Sequence, residues 1–218
     1  MATKRKEPLI TGCLYHIFTK SIAGYKIFRS AEDCSRIMEM IKFYSLEKPN
    51  VKFSSYKKAK AKDSSFGESL HGKEKIVQIL SYCVMPTHLH MVLGQLKENG
   101  ISVFMKNLLN SYTRYFNLKN GRKGPLWQSR FNSVLIESDE QLLHLTRYIH
   151  LNPSSDQLVE KVEDWPYSSY HEFLGLREAG ICDFSPYLNI EPASYKKFVE
   201  ERIDYQEKLA EIKHLLLE

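Results

Sequence analysis

Apolar residues follow two spacings along this chain, and the switches between them mark its elements. Residues 9–22 hold Cys13-Leu14-Tyr15-His16-Ile17-Phe18-Thr19, a β-rich run that predicts the first strand. Ser30 then offers an N-cap, with Glu32 and Asp33 in the first turn. Cys34, Ile37, Met38, Ile41 and Tyr44 follow at helical spacing, so residues 31–45 read as an amphipathic helix. Residues 46–74 lose the pattern: a lysine run (57–62) is followed by Asp63-Ser64-Ser65-Phe66-Gly67, which reads as a long loop or insertion with a solvated surface. Residues 76–85 and 88–94 are two short apolar strands joined at Pro86-Thr87. Ile101, Phe104, Met105, Leu108, Leu109, Tyr112, Tyr115 and Phe116 then mark a long helix over 101–119, closed by Asn120-Gly121. A short strand at 132–136 precedes a helix that begins at Ser138, with Gln141 completing a capping box. That helix is expected to stop near Leu151, because the residue before Pro153 is biased away from the α conformation. Trp165–Tyr170 reads as an aromatic turn packed on the core, and 192–218 as a charged amphipathic helix.

The order strand, helix, strand, strand, helix, strand, helix predicts an α+β fold. The best fit is a ferredoxin-like (split βαβ, RRM-like) antiparallel sheet with helices on one face. The expected division is one domain over 1–175, carrying the 46–74 insertion, and a helical extension over 176–218.

Composition narrows this little. At 218 residues, 43% hydrophobic and 26% charged, the chain has the makeup of an ordinary globular protein, and its net charge of +5 permits an anionic partner. Its four cysteines, Cys13, Cys34, Cys83 and Cys182, lie far apart, which argues for reduced thiols and against a disulfide frame or zinc knuckle. There is no apolar run long enough for a membrane span and no apolar segment behind the basic N-terminus, so a cytoplasmic protein is expected.

Charge distribution is more telling than net charge. From Asn99 to Ile136 there is no Asp or Glu, while Lys106, Arg114, Lys119, Arg122, Lys123 and Arg130 alternate with aromatics that include Trp127. Cations neutralise phosphates and aromatic faces stack on unpaired bases, so this segment is a candidate nucleic-acid contact. His88 and His90 add candidate chemistry: two apart on a strand, they share a face, and paired imidazoles suit a divalent metal. His144, Tyr148 and Asn152 repeat at i, i+4, i+8 on the helix after Ser138, offering a phenol and an amide oxygen. A cation held by His88, His90 and an oxygen ligand can polarise a phosphodiester for attack by a tyrosine. Tyr112 and Tyr115 are rival nucleophiles, but they lie on a stripe that reads as core. His16 is expected to be structural. His144 and Arg147, beside Tyr148, are candidate phosphate contacts.

The run Met85-Pro86-Thr87-His88-Leu89-His90-Met91-Val92-Leu93 resembles the His-hydrophobic-His (HUH) motif of single-tyrosine transposases. Gly124-Pro125-Leu126-Trp127-Gln128-Ser129-Arg130-Phe131, then Arg147-Tyr148-Ile149-His150-Leu151-Asn152-Pro153 and Asp164-Trp165-Pro166-Tyr167-Ser168-Ser169-Tyr170, resemble the branch called REP-associated tyrosine transposases, over roughly residues 8–175. The resemblance implies an HUH endonuclease fold and a divalent cation, Mg or Mn, on His88 and His90. It implies that Tyr148 attacks single-stranded, hairpin-forming DNA to leave a 5′-phosphotyrosine and a free 3′-OH. It also implies a third ligand at Asn152, where the wider family commonly has Gln, and a nucleoid-associated monomer or homodimer. The chain departs from the pattern at 46–74, at Asn152 and at Ser154-Ser155. Two other readings fit the same residues: a DNA-binding protein of this fold with weakened chemistry, and a metal-dependent nuclease that uses water.

Overall fold

A computed structural model of the chain describes residues 8–47, 51–62, 73–177 and 180–203. Its strands are β1 (Leu14–Lys20), β2 (Val77–Met85), β3 (His88–Gln95) and β4 (Asn132–Ile136). They form one antiparallel sheet in the order β2-β3-β1-β4. The helices are α1 (Ala31–Tyr44), α2 (Phe53–Lys62), α3 (Gly100–Lys119), α4 (Asp139–Ser155), the single turn α5 (Tyr170–Phe173) and α6 (Pro192–Glu200). This is the α+β, ferredoxin-like plan expected from the pattern.

Local chemistry sets the helix ends. Ser30 Oγ accepts from Asp33 N–H at the start of α1, and Ser138 Oγ accepts from Gln141 N–H at the start of α4. Gln141 Oε1 accepts from Glu137 N–H, one residue before the cap, so the side chain reaches back as in a capping box but past Ser138. α3 ends where Gly121 takes a left-handed φ of +59°. It begins on Gly100 because the chain entering β2 passes directly over it: a Cβ there would lie 2.2 Å from the Ile76 carbonyl oxygen.

Strand alternation sorts side chains between two faces. Tyr15 and Ile17 of β1, and Leu89, Met91 and Leu93 of β3, bury against Ile37 and Ile41 of α1 and Ile101, Phe104, Leu108 and Tyr112 of α3. In β2 an irregularity between Ile79 and Ser81 shifts the phase, so Ile79, Tyr82 and Val84 meet that core while Leu80, Cys83 and Met85 meet the other. The helix layer of α1 and α3 lies on one face, as expected. α4 goes beyond that plan: with Leu142, Ile149 and Leu151 it packs on the opposite face against Leu80, Cys83, Met85 and Val92.

Two expectations need correction, and a third is met only in part within the described residues. The 46–74 segment is not all loop: 53–62 forms α2, whose buried Phe53 packs on Phe43 and Tyr44 of α1. Residues 48–50 and 63–72 lie outside the described residues. α4 does not stop at Leu151 but runs through Pro153 to Ser155. Proline cannot donate to the Ile149 carbonyl, and Asn152 supplies side-chain donors instead, from Nδ2 to the Tyr148 oxygen (2.7 Å) and the Ile149 oxygen (3.5 Å). α6 covers Pro192–Glu200, and the part of the expected helix beyond residue 203 lies outside the described residues.

The aromatic turn protects the β2 edge. Val84 N–H donates to the Tyr167 oxygen and Ser169 N–H to the Tyr82 oxygen, while the Trp165 indole donates to the Val84 oxygen. Buried His150 of α4 fixes this turn and α6 together, through Ser169 Oγ (2.7 Å) and the Tyr195 hydroxyl (2.8 Å).

Candidate active site on the sheet

The pairing of β1 with β3 sets Phe18 opposite His90 and Lys20 opposite His88. Cross-strand partners share a face, so His16, Phe18, Lys20, His88 and His90 form one patch, with Leu89 turned to the core behind it. α4 lays Tyr148 over the patch. Its ring stands edge-on to His90 at 5.7 Å and to His16 at 6.3 Å between centroids. The His88 and His90 rings are 5.0 Å apart and perpendicular. Towards β4 the same face opens, and Val134 is 50% exposed.

Hydrogen bonds fix how the imidazoles point. His88 Nδ1 lies 2.9 Å from Thr87 Oγ1, and His90 Nδ1 lies 3.0 Å from His16 Nε2. Coordination by either ring of the motif therefore falls to Nε2. Burial pushes His16 down to about 4, and burial followed by the charge of Lys20 does the same to His88. Both rings are neutral at physiological pH, which is the state a metal ligand needs. Burial and the charge of Asp156 raise the Tyr148 phenol above its ordinary value, opposed by its contact with Asn152. The phenol is therefore less readily deprotonated than that of a free tyrosine.

The expected residues divide into those the fold gathers and those it uses elsewhere. His88, His90 and Tyr148 come together. Asn152 is one turn beyond Tyr148 and 8% exposed, and its Nδ2 is committed to the helix backbone, which leaves Oδ1 as its side-chain donor to a cation. Among the described residues, no three of His, Cys, Asp and Glu gather as a metal site. The candidate donors for a cation are thus the His88 and His90 imidazoles and the Asn152 amide oxygen.

His144 and Arg147 turn to α6. Arg147 donates to the Phe198 oxygen, lies 2.6 Å from His144 Nδ1 and stacks 4.0 Å over the Phe198 ring. Lys119 is held by Glu32, buried Asp33 and the Tyr115 hydroxyl. Trp127 donates its indole N–H to Thr113 Oγ1 and the Leu109 oxygen, against Phe28 and Tyr112. Arg122 bonds Asn117 and Pro125 and stacks on Tyr25. Lys106, Arg114, Lys123 and Arg130 are exposed. The first two lie on α3, across the sheet from Tyr148, whereas the loop holding the others borders the site. In that loop Gln128 N–H donates to the Lys20 oxygen, and Ile22 N–H donates to the Leu126 oxygen. The rivals Tyr112 and Tyr115 are structural, donating to the Ile27 oxygen and to Asp33.

Sequence reasoning missed two members, His16 and Lys20. The signal for both was their alternation with Ile17 and Thr19, but only the pairing register shows that they share the face of His88 and His90.

Comparison with known proteins adds the following. Residues 68–152 match the family model described as transposase IS200 like. Two curated relatives carry the name REP-associated tyrosine transposase. The one from Haemophilus influenzae is 33% identical over 105 residues, 43% of this chain and 59% of its own. The one from Escherichia coli is 27% identical over 100 residues, 45% of this chain and 58% of its own. The chain thus spans under two thirds of either relative. A solved structure of a REP-associated tyrosine transposase bound to a REP hairpin is 20% identical, covers 88% of this chain and 99% of that one, and superposes with a TM-score of 0.50, a likeness of fold.

Proposed function

Taking residues 68–152 as a segment of the IS200-like transposase family, we propose that the chain is a REP-associated tyrosine transposase that cleaves and rejoins single-stranded, hairpin-forming DNA through Tyr148. The observation that carries this reading is the Tyr148 ring set over His90 and His16 from the helix that packs on their sheet. A phenol and the His88 and His90 imidazoles share one partly open surface.

In the proposed reaction the Tyr148 oxygen bonds to phosphorus and the bond from phosphorus to the 3′ oxygen breaks. The 3′ oxygen leaves with a proton as a free hydroxyl, and the 5′ phosphate stays on Tyr148. The phosphodiester energy is kept, so rejoining is the reverse attack. His88 and His90, together with the Asn152 amide oxygen, would hold a divalent cation. Two nitrogen donors favour Mn over Mg. Once bound, such a cation supplies charge that stabilises the phosphate oxygens and eases loss of the phenol proton. Lys20, Lys123 and Arg130 draw in the DNA backbone from the open side.

The test is incubation with a hairpin oligonucleotide from the sequence flanking the gene, with Mn or Mg, run on a denaturing gel. A covalent protein–DNA band that disappears in Tyr148→Phe is expected. A free nicked product in its place indicates a nuclease using water. DNA binding with neither product indicates a binder.

A further inference from the structure

His16 belongs to neither hydrophobic core, yet it sits half-buried beside the site. Its Nε2 lies 3.0 Å from His90 Nδ1, the two rings are within 18° of parallel, and the Tyr148 ring edge meets both. A neutral imidazole has one N–H and one lone pair, and a hydrogen bond between two of them carries a single proton. If that proton sits on His16, His90 carries its own on Nε2 and cannot bind a cation. If it sits on His90 Nδ1, the lone pair of that ring is on Nε2. With Asn152 offering oxygen and no three-residue His, Cys, Asp or Glu cluster among the described residues, the third imidazole is better placed as a partner of a ligand than as a ligand.

We propose that His16 is a positioning residue: its Nε2 accepts the His90 Nδ1 proton and so fixes His90 in the tautomer that presents Nε2 to a divalent cation. This rests on the metal role of His90 proposed above. The same geometry explains why a histidine stands at a strand position where an aliphatic residue would pack as well. A cation on Nε2 forces the proton onto Nδ1, and a buried N–H without an acceptor is costly. Partners of this kind typically alter metal affinity by about 10–100-fold.

Two measurements on the full chain test it. Long-range proton–nitrogen correlation spectra without added metal should show His90 protonated at Nδ1 in the wild type. His16→Gln keeps an acceptor and should keep that tautomer, while His16→Phe keeps the ring but not the acceptor and should lose it. Mn titration followed by electron paramagnetic resonance should then show affinity about 10–100-fold weaker in His16→Phe, largely recovered in His16→Gln, and abolished in His90→Ala. A wild-type His90 protonated at Nε2, or a His16→Phe variant with unchanged tautomer and affinity, overturns the proposal. So does loss in His16→Gln as complete as in His90→Ala, which would make His16 a ligand. If the wild type shows the expected tautomer but binds no Mn, the metal reading fails and the tautomer assignment stands apart from it. Thermal melts of each variant identify any that fail to fold.

Discussion

The two faces of the sheet are built from the same strands and do opposite work. Towards α1 and α3, β1 and β3 present Tyr15, Ile17, Leu89, Met91 and Leu93, all buried among aliphatic and aromatic side chains. Towards α4 the same strands present His16, Phe18, Lys20, His88 and His90, only part of which α4 covers. A period of two lets one strand serve both: Leu89 stabilises the fold between two histidines that do not have to. The two faces can therefore be perturbed separately, residue by residue.

The largest separation is expected between His90 and Leu89. His90→Ala and Tyr148→Phe should each eliminate the covalent DNA adduct while the chain still folds, as a gel and a thermal melt on the same preparation would show. Leu89→Ala opens a cavity beneath the site and should cost about 2–5 kcal/mol of stability, with adduct formation per folded molecule retained. Equal loss of stability from Leu89→Ala and His90→Ala would remove the distinction between the faces.

The next effect is on pH. Burial holds His16 and His88 near 4 and His150 near 3, whereas in the unfolded chain histidines titrate near 6.5. Between those values the unfolded state holds more protons, so stability falls as pH falls. It is fully present above about 6.5 and lost progressively towards 4, with a slope of up to about 1.4 kcal/mol per pH unit for each histidine. Urea midpoints between pH 7 and 4.5 should show this slope in metal-free protein, and His16→Gln or His150→Gln should flatten it. Asp33 adds a separate acid limit. Burial pushes its carboxyl up, but Lys119, Tyr115 and the Arg29 N–H outweigh that and hold it below the ordinary value. Its contribution is present above about pH 4 and disappears below. A slope between pH 7 and 4.5 that is unchanged in both histidine variants would leave His88 as its source among these three, since Asp33 acts only below that range.

What the sequence disclosed follows the reach of each signal. Strands, helices and caps depend on neighbours within a few residues, and Ser30, Ser138 and the His88/His90 alternation were legible for that reason. His16 was not, because its meaning depends on pairing with a strand 74 residues away. Lys119, His144 and Arg147 were read as DNA contacts because their partners Asp33 and Phe198 are just as remote. The α4 boundary failed for a different reason: a rule about proline holds only until a neighbouring side chain supplies the missing donor, as Asn152 does. Within α2, a lysine run hid a helix anchored by one phenylalanine.

The smallest expected effect bears on which face DNA follows. The loop that holds Lys123 and Arg130 is tied to Lys20 and Ile22 at the end of β1, and Lys106 and Arg114 are exposed on α3 in the opposite layer. Each phosphate contact on a single strand adds about 0.7 to the slope of log affinity against log salt. For a short single strand that only spans the open half of the sheet, the pair Lys123→Ala and Arg130→Ala should reduce that slope by about 1.4. The pair Lys106→Ala and Arg114→Ala should leave it unchanged. Fluorescence anisotropy across a salt series measures both. Equal reductions would mean that DNA wraps from one face to the other, and the reverse order would move the binding surface to α3. With a hairpin long enough to reach round the β4 edge, the α3 pair should begin to count, and the oligonucleotide length at which it does would measure how far the DNA path extends beyond Tyr148.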